Sequence, residues 1–117
     1  IPALPAFLGE LQPLIEERYP GFRVVLFGHV GDGNLHVNLL KPPTMGDAEF
    51  FAHCGEADHA IFALVQRYHG SISAEHGVGL LKRDFLHYSR TPEEIAIMRG
   101  IKQVLDPKGL FNPGKVL

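Results

Sequence analysis

Two short runs rich in β-branched and aromatic residues, separated by a glycine-rich turn, constrain the fold of this chain more than any other feature. The first run covers residues 22–27 and the second covers residues 35–40. Between them lies the turn sequence Gly-Asp-Gly-Asn, which favours a tight reversal because glycine adopts positive φ angles without steric cost. The pattern therefore predicts an antiparallel β-hairpin.

Helical periodicity is present on both sides of this hairpin. Apolar residues recur at spacings of three and four in residues 3–19 and again in residues 47–69, which predicts two amphipathic helices. Pro13 predicts a kink or a restart within the first helix, because proline removes one backbone hydrogen bond. Gly70 is expected to end the second helix.

The last third of the chain predicts a short extended piece followed by two further helices. The extended piece covers residues 71–73, and the first of the two helices is expected to begin near Gly79. The second begins at Thr91, where Thr-Pro-Glu-Glu matches a capping box with a first-turn proline. Asp106 and the proline after it end that helix. The predicted order of elements is α-β-β-α-(β)-α-α.

This order predicts an α+β fold in which an antiparallel hairpin packs with amphipathic helices, C-terminal helices and a tail. Because a lone two-stranded sheet is marginally stable, the hairpin is expected to be part of a larger sheet. We therefore expect the chain to be part of a longer protein. An unpaired sheet edge and an apolar helix face also lead us to expect that the chain forms a homo-oligomer.

Composition excludes several classes of function. The chain has 117 residues and a net charge of −2. Its one basic cluster is the adjacent pair Lys82 and Arg83, which we interpret as part of a solvated face. No nucleic-acid partner is therefore expected. No apolar run approaches the length of a membrane span. Cys54 is the single cysteine, so no intramolecular disulfide is available and a reducing compartment is expected.

Two glycine-rich stretches contain the residues best suited to chemistry. They are Gly-His-Val-Gly-Asp-Gly-Asn-Leu-His-Val-Asn at residues 28–38 and Ser-Ala-Glu-His-Gly-Val-Gly at residues 73–79. A divalent metal at a catalytic site takes about three protein ligands from imidazole and carboxylate groups and keeps positions open for substrate or water. Three residues meet this count: His29, His36 and Glu75. His76 remains as a neighbouring proton carrier.

The predicted hairpin brings part of this set together. Side chains two residues apart on a strand share one face of the sheet, so His36 and Asn38 are expected to project from the same side. His29 ends the first strand and can face the same way across the turn. A glycine turn alone is an ordinary hairpin connection, but two histidines around it are harder to explain by packing. The other four histidines read as surface or boundary residues: His53, His59, His69 and His87.

Both stretches, together with the C-terminal run Leu-Asp-Pro-Lys-Gly-Leu-Phe-Asn-Pro-Gly-Lys-Val-Leu (residues 105–117), resemble the C-terminal part of FAD-linked oxidases of the vanillyl-alcohol-oxidase type. This family includes D-lactate dehydrogenase, the FAD subunit of glycolate oxidase and D-2-hydroxyglutarate dehydrogenase. The resemblance extends over nearly the whole chain. Residues 82–88 look most like the D-2-hydroxyglutarate dehydrogenase branch.

The resemblance implies a role for each matching residue. His29, His36 and Glu75 match the divalent-metal ligands of the family, with zinc or manganese as the metal. His76 matches the proposed base near the substrate hydroxyl, and Asn38 matches a substrate-contacting asparagine. Asn112 looks like part of the stretch that turns back toward the flavin. It further implies that residues 1–117 form the second half of a cap domain plus the C-terminal tail, with the FAD-binding domain absent.

The expected activity is oxidation of a D-2-hydroxy acid to the 2-oxo acid, with D-2-hydroxyglutarate ahead of D-lactate and glycolate. The chain contains no phosphate-cradling glycine loop, so FAD binding follows from the resemblance alone. We expect these 117 residues alone to be inactive. The electron acceptor is expected to be a protein or a quinone, and the location the cytoplasm, or the mitochondrial matrix in a eukaryote.

Two other classes of function use the same residues. A metal-dependent hydrolase or dioxygenase could employ two histidines and one glutamate, with His76 as acid or base, but it leaves the Asn-Pro-Gly-Lys terminus unexplained. A non-catalytic oligomerisation module with a structural metal ranks last, because structural zinc sites favour cysteine and four ligands.

Overall fold

The computed structural model describes residues 2–117, which form three α-helices and one two-stranded antiparallel sheet. The elements are α1 (Leu4–Arg18), β1 (Arg23–His29), β2 (Asn34–Leu40), α2 (Asp47–Arg67) and α3 (Pro92–Leu105), with 3-10 turns at Val30–Asp32 and Arg83–Tyr88. This arrangement confirms the α+β class. The chain divides into two compact units, the first ending at Leu64 and the second covering Val65–Leu117.

Helix α1 supplies the largest fully buried side chains of the first unit. Leu11 and Ile15 are completely buried and lie four residues apart, on one face of the helix. The predicted restart at Pro13 is wrong, because α1 continues through this residue as a single helix. Burial of an apolar side chain contributes about 1.5–3 kcal/mol, so the two residues that flank Pro13 offset the missing hydrogen bond.

The hairpin forms as predicted. Its register runs from Arg23 opposite Leu40 at the open end to His29 opposite Asn34 at the turn. A 3-10 turn connects the strands, and Gly33 ends it in the left-handed conformation at φ 67°. Among residues 2–117 the sheet has no third strand.

Helix α2 closely matches the predicted segment and shares its buried face with aromatic residues that precede β1. Its buried side chains follow helical spacing: Ala57, Ile61, Phe62 and Leu64. The ring of Phe22 lies 5.5 Å from Tyr19 and 5.3 Å from Phe50, measured between ring centroids. These aromatic contacts connect the end of α1 to the first turns of α2.

Two predictions for the second unit are wrong. No helix begins near Gly79, because this glycine has a left-handed φ of 58° and the next regular turn is the 3-10 segment Arg83–Tyr88. A helix through these residues would bury little apolar surface, because Leu81 is 88% exposed. Residues 71–73 do not form a strand, because their backbone groups bond to side chains instead of to a neighbouring strand.

The final helix begins and ends where the sequence predicts. The Thr91 amide donates to Glu94 Oε2 at 2.8 Å, and the Glu94 amide donates to Thr91 Oγ1 at 3.2 Å, so the capping box is complete. The helix α3 ends at Leu105. No helix within residues 2–117 combines the length and the apolar character needed to cross a membrane.

Cys54 lies half-buried on α2 as a free thiol. Burial raises the pKa of this thiol, and the nearby Asp58 carboxylate raises it further. A raised pKa lowers the thiolate fraction, which favours a packed thiol over a nucleophile.

Candidate functional site

The hairpin brings three of the predicted site residues to one face. The register pairs His29 with Asn34 and Phe27 with His36. Directly opposed residues of an antiparallel pair project from the same face, and alternate residues along a strand share it. His29, His36 and Asn38 therefore share a face, which confirms the geometry expected from their spacing. His36 is half-buried, whereas the other two are exposed.

An aromatic ring supports one of these histidines. The rings of Phe27 and His36 stack with centroids 4.7 Å apart and planes within 1° of parallel. Stacking of this kind favours one orientation of the imidazole ring over its rotated alternatives. The sequence analysis missed this role of Phe27, although its position two residues before His29 already placed both side chains on the same face.

The turn end of the hairpin depends on Gly28. A Cβ atom at this position would lie 2.1 Å from the Asn34 carbonyl oxygen and 3.0 Å from the Leu35 Cα atom. Both obstacles are backbone atoms of β2, so they cannot move away without loss of the strand pairing. The absence of a side chain at Gly28 therefore allows the close approach that aligns His29 with the second strand.

The other part of the predicted set lies in an irregular loop of the second unit. Glu75 and His76 are adjacent, with their Oε1 and Nε2 atoms 3.7 Å apart, and both side chains are exposed. The loop reverses at Gly77, which has a φ of 73°. The Ser73 hydroxyl donates to the Gly77 carbonyl oxygen and so closes the loop around the glutamate and the histidine.

Asn112 lies in a second turn of the same unit. The Lys115 amide donates to the Asn112 carbonyl oxygen at 3.2 Å, and Gly114 has a φ of 71°. A proline followed by a glycine with positive φ is typical of a type II turn. The Val116 amide then donates to the Gly79 carbonyl oxygen at 2.7 Å, which connects the C-terminal run to the end of the second glycine-rich stretch.

Asp106 anchors the chain between α3 and this turn. Its buried carboxylate accepts hydrogen bonds from the Leu110 amide at 2.8 Å and from the Phe111 amide at 2.9 Å. The Lys102 ammonium donates to the same carboxylate, and this contact contributes most to lowering the pKa of Asp106 to about 2. From the sequence, Asp106 is expected only to end α3, and its role as acceptor for the Leu110 and Phe111 amides is not predicted.

The remaining histidines lie where the sequence analysis expects them. His59, His69 and His87 are exposed, and His53 is half-buried. The His53 ring packs edge-on against Tyr19 at 5.9 Å and against Phe22 at 6.0 Å. These four residues are therefore surface or boundary histidines, as predicted.

The residue types on the hairpin face and in the loop of Glu75 and His76 suit a divalent metal and an acid or base. The hairpin face offers two imidazoles and an amide, and the loop offers a carboxylate and an imidazole. Imidazole and carboxylate are ligands that both zinc and manganese accept. The residue types present thus fit the kind of ligand set that the resemblance implies.

Curated relatives of this chain include several dehydrogenases. It is 55% identical over 113 residues to a D-2-hydroxyglutarate dehydrogenase of Stutzerimonas stutzeri, covering 97% of this chain and 24% of the relative. It is also 55% identical over 116 residues to a D-2-hydroxyglutarate dehydrogenase of Xanthomonas citri, covering 99% and 25%. The mitochondrial D-2-hydroxyglutarate dehydrogenase of Danio rerio is 45% identical over 94 residues, covering 80% and 17%.

The chain thus spans about a quarter of the length of its two bacterial relatives. A family model described as FAD linked oxidases, C-terminal domain, matches residues 1–116. Because this match covers nearly every residue, the chain belongs to the family of FAD-linked oxidase C-terminal domains.

Proposed function

We propose that these 117 residues form part of an FAD-dependent dehydrogenase that oxidises a D-2-hydroxy acid to the 2-oxo acid. D-2-hydroxyglutarate is the first candidate substrate, ahead of D-lactate and glycolate. The observation that carries this proposal is the 55% identity over 97% of the chain to a bacterial D-2-hydroxyglutarate dehydrogenase. The shared face of His29, His36 and Asn38 supports it, because that face offers groups able to bind a hydroxy acid.

We assign His29, His36 and Glu75 as the ligands of a divalent metal, zinc or manganese. When bound, such an ion would lower the pKa of a hydroxyl group and neutralise a carboxylate. The stacking of Phe27 on His36 supports this assignment, since a metal ligand benefits from a fixed ring orientation. We propose with this assignment that the Glu75 carboxylate binds the same ion as the two hairpin histidines.

The other two residues would act on the substrate itself. A ring nitrogen of His76 takes the proton of the substrate hydroxyl as the bond between the α-carbon and its hydrogen breaks. The Asn38 amide donates to and accepts from substrate oxygens and so selects one orientation.

FAD would accept the hydride from the α-carbon, and residues outside these 117 would provide most of its binding site. Asn112, in the Asn-Pro-Gly-Lys turn, is the residue of this chain that we assign to the flavin. The reduced flavin would pass its electrons to a protein or a quinone. A reducing compartment suits a chain with one cysteine, and the Danio rerio relative is named as mitochondrial.

The hydrolase, the dioxygenase and the structural module remain as alternatives that no observation on this chain favours. The hydrolase and the dioxygenase leave unexplained the Asn-Pro-Gly-Lys turn, which is bonded through Val116 to the glycine-rich stretch of Glu75 and His76.

Anaerobic flavin reduction tests the proposal directly. The whole polypeptide that carries these residues is mixed without oxygen with D-2-hydroxyglutarate, D-lactate, glycolate and, as a stereochemical control, L-2-hydroxyglutarate. We expect the absorption band of oxidised flavin to bleach with a D-2-hydroxy acid and to persist with the L-isomer. Persistence of the band with all four acids would overturn the proposed activity.

A further inference from the structure

The adjacent basic residues Lys82 and Arg83 contact the backbone on both sides of the candidate site in the second unit. The Lys82 ammonium donates to the Ile72 carbonyl oxygen at 2.7 Å. The Arg83 guanidinium donates to the Gly114 carbonyl oxygen at 3.3 Å. One partner precedes the Glu75 and His76 loop, and the other belongs to the turn that contains Asn112. The interpretation of this pair as a solvated face is therefore wrong, because both side chains are half-buried and bonded.

Ile72 is a suitable anchor for the loop that follows it. Its side chain is 5% exposed, so it cannot shift without exposing apolar surface. Its amide donates to Ser89 Oγ at 2.8 Å while its carbonyl accepts from Lys82, so both backbone polar groups are bonded to side chains of the segment that includes the 3-10 turn. Glu75 lies only three residues after Ile72. A fixed backbone at Ile72 therefore restricts the position of Glu75.

The contact between Arg83 and Gly114 depends on the absence of a side chain at Gly114. A Cβ atom on Gly114 would lie 3.3 Å from the Arg83 Nη1 atom, and the backbone there has a φ of 71°. Glycine thus allows both the turn and the approach of the guanidinium group. Since charge-assisted hydrogen bonds are stronger than neutral ones, a lysine and an arginine hold these two carbonyl groups better than neutral donors would.

We propose that Lys82 and Arg83 form a positioning bracket that fixes the Glu75 and His76 loop relative to the turn of Asn112. Lys82 holds the segment before the loop, and Arg83 holds the turn, so two adjacent residues bond to both. Neither residue touches the reacting atoms; both act through the backbone of the loop and the turn. The part of this inference that concerns metal and substrate rests on the proposed function, whereas the backbone part does not.

Amide hydrogen exchange in the whole polypeptide tests the bracket without reference to activity. In Lys82→Met, which keeps side-chain length and removes the donor, we expect exchange at residues 72–79 to accelerate about tenfold, in line with the loss of one hydrogen bond to a charged group. Residues of α3 are expected to keep their rates. Lys108→Met is the matched control, because Lys108 is an exposed lysine of the same unit outside this network. Equal exchange in Lys82→Met and the control would overturn the bracket.

Metal titration and steady-state kinetics then connect the bracket to function. We expect Lys82→Met to weaken binding of Zn²⁺ or Mn²⁺ and to lower kcat by about tenfold, at the low end of the effect of removing a supporting contact around a ligand. The pH profile should keep its midpoint, because Lys82 does not touch the reacting atoms, and Lys82→Arg should restore most of the loss. A shifted midpoint would show that Lys82 takes part in proton transfer and would overturn a positioning role.

The two proposals fail in different ways. If the unaltered protein neither binds metal nor reduces its flavin with any hydroxy acid while exchange still accelerates in Lys82→Met, the proposed function fails and the bracket stands. If Lys82→Met does not fold, Arg83→Met decides, since it removes the other contact of the bracket, to the Gly114 carbonyl oxygen, and should accelerate exchange at the Lys115 and Val116 amides. Unchanged exchange at these two amides in Arg83→Met would then overturn the bracket.

Discussion

The two units position their chemical groups by different means. In the first unit, His29, His36 and Asn38 share a face because the hydrogen bonds of an antiparallel sheet fix the register. In the second unit, Glu75 and His76 lie in a loop whose conformation depends on side-chain contacts, chiefly those of Ser73 and Lys82. The hairpin should therefore be sensitive to changes in backbone geometry, and the loop to the loss of single side chains.

This difference also separates two kinds of functional residue. The direction of a side chain on a strand is set by the alternation of successive residues between the two faces of the sheet. Neighbouring side chains can therefore change with little effect on that direction. A group in a loop has no such alternation, and each hydrogen bond that holds the loop contributes directly to its position. The proposed metal ligands of the hairpin and the proposed base of the loop should then respond differently to mutation.

Replacement of one histidine from each unit is expected to have the largest effect. In the intact protein, His36→Ala should lose bound metal and turnover together, because two remaining ligands hold a divalent ion poorly. His76→Asn should keep the metal and lower turnover by about 10²–10⁴, the usual contribution of a positioned proton acceptor. Metal analysis and anaerobic flavin reduction measure the two effects.

The control for these variants is His69→Asn, since His69 is exposed and asparagine tolerates its left-handed φ of 53°. It should retain both metal and turnover. If His76→Asn abolished metal binding while Glu75→Gln preserved it, the roles assigned to the two loop residues would be interchanged.

Gly28→Ala tests the dependence of the hairpin on backbone geometry. The added methyl group would lie 2.1 Å from the Asn34 carbonyl oxygen, so the strands must separate near the turn. We expect the free energy of unfolding to fall by at least about 3 kcal/mol, the upper end of the 0.5–3 kcal/mol that most destabilising substitutions cost. Urea unfolding followed by circular dichroism provides the measurement.

Gly55→Ala is the matched control, because Gly55 lies within α2 and a Cβ atom there meets nothing within 4 Å. It should leave stability unchanged or raise it by about 0.5–1 kcal/mol, as alanine does at compatible helical positions. A loss in Gly55→Ala as large as that in Gly28→Ala would show that the effect is not specific to the hairpin.

The same contrast explains which parts of the molecule the sequence predicts. The hairpin, the face shared by His36 and Asn38, and the Thr91 capping box follow from local periodicity and local hydrogen bonding, and all three are present. The helix expected near Gly79 and the extended piece at residues 71–73 are wrong. Their backbone is organised by contacts over 10 to 31 residues of sequence, from Lys82, Ser89 and Arg83, which periodicity cannot report.

Acid titration of Asp106 tests side-chain anchoring in the second unit. Its pKa falls from 3.8 to about 2 on folding, so the unfolded state binds more protons between those values. The stabilisation by Asp106 is complete above about pH 4 and is lost as the pH falls toward 2. Asp106→Asn should therefore be less stable than the unaltered protein at pH 7, with a difference that narrows through this window.

Asp32→Asn is the comparison from the first unit, where an exposed aspartate lies in the hairpin turn. Thermal unfolding at pH 7, 4 and 2 should show little difference between Asp32→Asn and the unaltered protein at each pH. A pH-dependent loss in Asp32→Asn that equalled the loss in Asp106→Asn would contradict the distinction between a turn fixed by its backbone and a tail fixed by a carboxylate.

Phe27→Leu is expected to have the smallest effect and gives the sharpest test of the comparison. The Phe27 ring stacks on His36 but is 51% exposed, so its loss should cost about 0.5–1 kcal/mol, the lower part of the range for aromatic pairs. Phe51→Leu, at another exposed phenylalanine of the same unit, controls for the loss of a surface ring. If the register alone aims His36, metal affinity in Phe27→Leu should fall less than in Lys82→Met. An equal or larger fall would mean that the hairpin histidine, like the loop residues, depends on a single supporting side chain, and the distinction between the two units would not hold for metal binding.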